Sequence, residues 1–155
     1  MTEEKKGAQR GFVINGQYIK DLSFENPNAP RSLFAADVKP GIDLSVDLKA
    51  QRLKDDSYEL EMHISAKAAA ENDVLFVVEL AYAGIFTLMN TPPEEAEPLL
   101  LIECPQVLFP FARRVVADVT RDGGFPPLML EPMDFRHLYD SRKKAEGAPA
   151  AEAVN

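Results

Sequence analysis

The sequence predicts an α+β fold: a four-stranded antiparallel sheet with two C-terminal helices, one long and kinked and one short, packed on one face. Three observations carry this expectation. Alternation of apolar and polar residues with a period of two fills the first half of the chain. Short polar turns separate the second, third and fourth alternating segments. Beyond residue 90, helical spacing punctuated by proline and glycine takes over. Strands first and helices afterwards is the α+β order.

The first segment, residues 12–25, puts Phe12, Ile14, Tyr18, Leu22 and Phe24 at even positions, which predicts one dry face. Asp21, Ser23 and Glu25 point the other way. Pro27 and Pro30 then remove two backbone donors and end the strand. Residues 42–50 alternate Ile42, Leu44, Val46 and Leu48 with Asp43, Ser45, Asp47 and Lys49. Residues 57–68 set Tyr58, Leu60, Met62 and Ile64 against Glu59, Glu61, His63 and Ser65. Lys54-Asp55-Asp56-Ser57 and Glu71-Asn72-Asp73 read as hairpin turns, so strands two, three and four should form a meander. The fourth segment, VLFVVELAYAGIFTL, departs from the pattern. Val74, Phe76, Val78 and Leu80 share one face, Leu75 and Val77 occupy the other, and only Glu79 interrupts. A strand apolar on both sides needs a cover where there are no helices, from another subunit or a partner.

Thr91-Pro92-Pro93-Glu94 has the form of a capping box with proline at the first helical position. Glu94, Glu95 and Glu97 suit the positive end of the helix dipole. Val107, Phe111, Val115 and Val119 recur every four residues, flanked by Leu108, Ala112 and Val116, as a broad apolar stripe. Pro105 and Pro110 predict a kink or break near Cys104-Pro105, and Gly123-Gly124 a stop. After the loop FPPLMLEP, Asp134 is placed to cap a last helix over about residues 134–145, with Met133 and Leu138 as a hydrophobic staple.

A chain of 155 residues predicts one domain, able to bury its core without disulfides. The expected organisation is a flexible N-terminus over residues 1–10, a single domain over 11–144, and a disordered acidic tail over 145–155. Cys104 is the sole cysteine, which excludes an intrachain disulfide. With no signal peptide and no membrane-length apolar run, the reading is a cytoplasmic protein without direct membrane insertion. The formal net charge of -8 argues against nucleic acid as a partner and suits a positively charged one.

The residues that carry chemistry in other proteins are poorly placed here. Cys104 lies in an apolar stretch before a proline, where burial is the ordinary fate of a free thiol. His63 and His137 have no Cys or His at ligand spacing, so no metal site is expected. No glycine-rich phosphate loop and no cofactor motif is present, and Asp55-Asp56 is a turn signal. No catalytic residue is expected; a competing enzyme reading would rest on Cys104 alone. The carboxylates of Asp21 and Glu25, about 13 Å apart at strand rise, read either as a solvated face or as a docking surface.

Four motifs occur in order: KDLSFENPNAP (20–30), AGIF (83–86), CPQVLFPFAR (104–113) and GGFPPLMLEPMDF (123–135). Together they resemble the bacterial SecB export chaperones over about residues 11–140. The AYAG of residues 81–84 departs from the glutamine- and glycine-richer family pattern. The resemblance implies a homotetramer, a dimer of dimers with the long helices sandwiched between two extended sheets. It implies a chaperone that hydrolyses no ATP, holds precursor proteins unfolded, and passes them to the ATPase SecA. It also implies that the basic, zinc-binding C-terminal segment of SecA docks on acidic residues of the outer sheet face. The matching positions are Asp21, Glu25 and Glu79, with Val77 where the family carries leucine. Client binding needs apolar surface without sequence specificity. The candidates are Leu33 and Phe34, then Phe125, Leu128 and Leu130 of the proline loop, then Phe135, Leu138 and Tyr139 of the last helix. A SecB-like chaperone for another client, such as an antitoxin, and a non-catalytic structural subunit are the alternatives.

Overall fold

The computed structural model describes residues 10–34 and 39–147. Strands β1 (Gly11–Glu25), β2 (Gly41–Lys54), β3 (Ser57–Ala70) and β4 (Asp73–Met89) form one antiparallel sheet in the order β1-β4-β3-β2. The expected meander of β2, β3 and β4 is present. Asp55 and Glu71, the first turn residues of its two hairpins, take positive φ angles of 52° and 56°, which suits tight two-residue connections. β1 joins the far side of β4, so the chain crosses the whole sheet between β1 and β2. Side chains pin the start of that crossing. Asn26 donates to the Gly123 carbonyl (3.4 Å), Asn28 to the Val74 carbonyl (2.8 Å), and the Ser32 hydroxyl to Asn26 Oδ1 (2.6 Å). A single 3₁₀ turn, Arg31–Phe34, follows.

β1 breaks the simple alternation. Bulges interrupt its pairing with β4 between Ile14 and Gly16, and again between Ile19 and Asp21. Each shifts the facing of the strand by one residue. Phe12 and Ile14 lie opposite Leu88 and Phe86 on the helix side, Ile19 opposite Tyr82, and Leu22 and Phe24 opposite Leu80 and Val78. Tyr18, expected on the dry face, lies opposite Ala83 on the outer face. The second bulge restores the phase, so Asp21, Ser23 and Glu25 face outward as expected.

The helices lie on one face. Pro93–Pro98 (α1), a π turn at Leu99–Glu103 and Cys104–Asp122 (α2) run without a gap. The capping box does not form. Thr91 turns its hydroxyl back to the Met89 carbonyl (2.9 Å), and the cap position falls on Pro92. Proline at the first helical position is present. The expected irregularity near Pro105 is the π turn, where the Cys104 N–H reaches the Leu99 carbonyl. Pro105 has no N–H to continue the ladder, so the hydrogen bonds slip by one residue. The buried stripe of α2 centres on Leu108, Ala112 and Val116, with Phe109, Ala117 and Thr120 beside them. Phe111, expected within it, is 45% exposed.

Gly124, at φ 95°, ends α2 with the Phe125 N–H on the Thr120 carbonyl and its own N–H on Arg121, the Schellman arrangement. The buried Thr120 hydroxyl bonds back to Val116 and accepts from the Leu128 N–H (2.9 Å), tying the proline loop to the helix. Asp134 caps the last helix, α3 (Phe135–Gly147), as expected, accepting from the His137 N–H at 3.0 Å. The core lies between sheet and helices: Leu60, Met62, Ile64, Val78 and Phe86 from strands meet Leu108, Ala112 and Val116, with Leu130 and Phe135 closing one end. Gly84 is required there, because a Cβ would sit 2.9 Å from Leu108 and from Phe86. Most of the expected N-terminal segment and acidic tail lies outside the described residues. Arg10 is described and pairs with Glu95 (2.6 Å).

Candidate functional site: the outer face of the sheet

The face away from the helices carries most of the charge of the strands. From β1 it receives Tyr18, Asp21, Ser23 and Glu25; from β4, Val77, Glu79, Ala81 and Ala83; from β3, Glu59, Glu61, His63, Ser65 and Lys67, the last opposite Val77; from β2, Asp43, Ser45, Asp47 and Lys49. Register brings the four residues matched to SecA docking together. Ser23 lies directly opposite Glu79, and Glu25 opposite Val77. Asp21 and Glu25 flank Ser23, so the three carboxylates form a triangle over two adjacent strands with Val77 at one corner. Among the described residues, no side-chain hydrogen bond or ion pair engages Asp21, Glu25 or Glu79. A shallow depression of about 420 Å³ beside them is lined by Lys20, Asp21, Asp47, His63, Glu79 and Ala81, among others.

A second set of carboxylates on the same face is fully engaged. Glu59 and Glu61 are only 9% and 7% exposed. Tyr18 donates to Glu59 Oε2, and Lys20 Nζ reaches Glu59 Oε1 at 2.9 Å and also pairs with Glu61 Oε1. His63 Nε2 lies 3.2 Å from Glu61 Oε2. Tyr18 and Lys20 stand on β1 and their partners on β3, so both side chains cross β4. They pass where β4 offers Ala81 and Ala83, both buried. The small residues of AYAG thus make room for a polar bridge over the strand. The bridge supplies part of the cover that the doubly apolar β4 called for.

The electrostatics follow. The Tyr18 hydroxyl and then Lys20 hold the Glu59 carboxyl below its ordinary value, and Lys20 does the same for Glu61. Lys20 is pushed up by Glu61 and Glu59. Tyr18 is raised to about 12, by burial first and its Glu59 acceptor second. Sequence reasoning missed this bridge. The alternation places Glu59, Glu61 and His63 on a polar face, but their partners are hidden by two bulges that no local pattern announces: the one after Ile14 turns Tyr18 outward, and the one at Lys20 frees that side chain.

The apolar candidates separate by exposure. Phe34 is 85% exposed, and Leu33 is exposed while its tip crowds Gly124. Phe125 packs on Phe76, ring centroids 5.0 Å apart, and Leu128 lies against the core. Leu130 and Phe135 are core side chains, 3% and 2% exposed. Phe135 meets Phe109 edge-on at 5.8 Å. Leu138 and Tyr139 line a groove of about 330 Å³ between α3, β2 and the π turn, with Leu48 and Leu101 opposite. Met129, whose pliable side chain suits a re-packable groove, is exposed, and so are Ile42 and Leu44: the alternation places both on the dry side of β2, but the helices do not reach that end of the edge strand and only Leu48 is buried. Cys104 is fully buried, and burial raises its thiol to about 12. Among the described residues no group of His, Cys, Asp or Glu is placed to hold a metal, and no helix is long and apolar enough to cross a membrane.

An α+β protein with an open acidic sheet face and a groove of leucine and tyrosine side chains rimmed by charges presents surface suited to contact with other polypeptides. The family model described as preprotein translocase subunit SecB matches residues 5–146. The chain is 51% identical to the protein-export protein SecB of Maricaulis maris, over 90% of this chain and 83% of that protein. It is 49% identical to that of Parvibaculum lavamentivorans, over 96% and 92%. In fold it is similar to a SecB-like chaperone of Mycobacterium tuberculosis, solved with a peptide from an antitoxin. The TM-score is 0.67 at 16% identity, covering 79% of this chain and 90% of that one. The chain therefore belongs to the SecB family of protein-export chaperones.

Proposed function

We propose that this chain is an ATP-independent holding chaperone of the cytoplasm, with residues 11–144 as its folded working unit. It binds unfolded precursor proteins through apolar surface and delivers them to SecA as a homotetramer, a dimer of dimers, without making or breaking a covalent bond. Client contact falls on Leu33 and Phe34, on the proline loop, and on the groove edged by Leu138 and Tyr139. Leu130 and Phe135 become available only if the loop or α3 lifts. The basic C-terminal segment of SecA docks on Asp21, Glu25 and Glu79, with Val77 as the apolar contact. One observation carries the docking reading: three carboxylates without internal partners sit together on a sheet face, while others nearby are engaged.

The test is charge reversal, Asp21→Lys with Glu25→Lys. The expected result is SecA binding weakened roughly tenfold or more at low salt, with the tetramer and the holding of an unfolded client intact. Equal loss of all three would mean that the acidic face serves the fold instead.

A further inference from the structure

We propose that Lys20 is a built-in stand-in for a cation of the docking partner, confining a basic ligand to the Asp21–Glu25–Glu79 half of the outer face. The proposal rests on the docking reading above and adds a residue that sets where docking occurs.

Ile19 pairs with Tyr82 and Asp21 with Ala81, so Lys20 has no partner in the β1–β4 ladder. A residue freed from the ladder can turn its side chain over the sheet. Its ammonium group ends between two glutamates of the second strand over, across a strand whose side chains there are methyl groups. All four oxygens of Glu59 and Glu61 are then engaged: one each by Tyr18 and His63, and two by Lys20. Asp47 is engaged as well, by Arg142 of α3 at 3.4 Å; Asp43, opposite Lys67 in the β2–β3 register, forms no ion pair among the described residues and stays open on the edge strand. A visiting lysine or arginine therefore meets over β3 two carboxylates whose four oxygens are all occupied and whose charge one ammonium halves, and over β1 and β4 carboxylates that are open. Attraction between exposed charges falls off over about 8–10 Å in physiological salt. Halving the charge of Glu59 and Glu61 and occupying their oxygens thus favours the open carboxylates as the place where a basic segment settles. Without Lys20 the negative field would spread across three strands and the contact would lose its register.

The experiment uses the isolated zinc-loaded C-terminal segment of SecA as the probe, titrated calorimetrically into the full chain at low ionic strength. Lys20→Met keeps the aliphatic stem and removes the charge. It should tighten binding by roughly threefold or more, and the gain should vanish when Glu59→Gln and Glu61→Gln are added. Unchanged or weaker binding by Lys20→Met would overturn the proposal, since Lys20 would then be inert or a contact for the partner. The Glu59→Gln, Glu61→Gln double variant with Lys20 in place decides independently of how Lys20→Met folds. It should bind the probe within about twofold of the parent, and a larger loss overturns the proposal by showing those carboxylates already in use. Asp21→Lys with Glu25→Lys reads the docking site itself: if that variant binds undiminished, the docking assignment fails whatever Lys20 does.

Discussion

The two faces of the sheet use the same strands in opposite ways. On the helix side, Leu60, Met62, Ile64, Val78 and Phe86 are packed against α2 with scarcely any exposed surface. Shape decides everything there, down to the missing Cβ of Gly84. On the outer side most residues are polar, spaced by strand register, and Asp21, Glu25 and Glu79 have no internal partner among the described residues. The difference separates the face that holds the fold from the face proposed to receive a partner. The helix side holds the fold, and close packing makes it intolerant of volume changes. The outer side presents charge, and substitutions of its open carboxylates should change binding while leaving folding alone. The Tyr18–Lys20–Glu59–Glu61 bridge belongs to both, being on the charged face yet buried and internally satisfied.

The comparison can be tested from the packed side first. Leu108→Ala removes a fully buried side chain from the centre of α2. It should lower unfolding free energy by about 2–5 kcal/mol, read by urea denaturation, with probe binding by the folded fraction unchanged. Gly84→Ala adds one methyl group where Leu108 and Phe86 already stand. The expected loss is about 1–3 kcal/mol, larger than a glycine-to-alanine change elsewhere in the sheet. No loss would show that the sheet–helix packing yields more readily than the geometry implies.

The smallest effect concerns acid. The Glu59 and Glu61 carboxyls are held below their ordinary value of 4.5. The unfolded chain therefore takes up protons first as the pH drops. The stability they contribute is complete above about pH 4.5 and is lost as the pH falls through their lowered folded values. Thermal melts between pH 6 and pH 3 should fall more steeply for the parent than for Glu59→Gln, Glu61→Gln. Parallel curves would mean that the bridge leaves folding energetics untouched.

Much of the architecture was legible because it follows from local pattern. The alternation in β2 and β3, the doubly apolar run of β4, the turn residues at Asp55 and Glu71, the cap at Asp134 and the stop at Gly124 each depend on neighbours within a few residues. The misreadings have a common origin. A count of two places Tyr18 on the dry face because it ignores bulges, which arise from pairing with β4 and not from β1 itself. Thr91 matched a cap by spacing, yet its hydroxyl found a nearer carbonyl. The stripe on α2 was read one residue off centre, since a broad apolar surface leaves its rotation to whatever it packs against.

Residue order alone dictated strand periodicity, the sites of the turns, the break before Pro105 and the surplus of negative charge, because each arises from covalent geometry or simple counting. Which carboxylates stay open and which are bridged depended on the folded arrangement. That choice needs β1 to lie beside β4, a bulge to release Lys20, and Ala81 and Ala83 to leave a path to Glu59 and Glu61. Contacts between residues some forty positions apart are set by how strands assemble, and no short stretch of sequence encodes them.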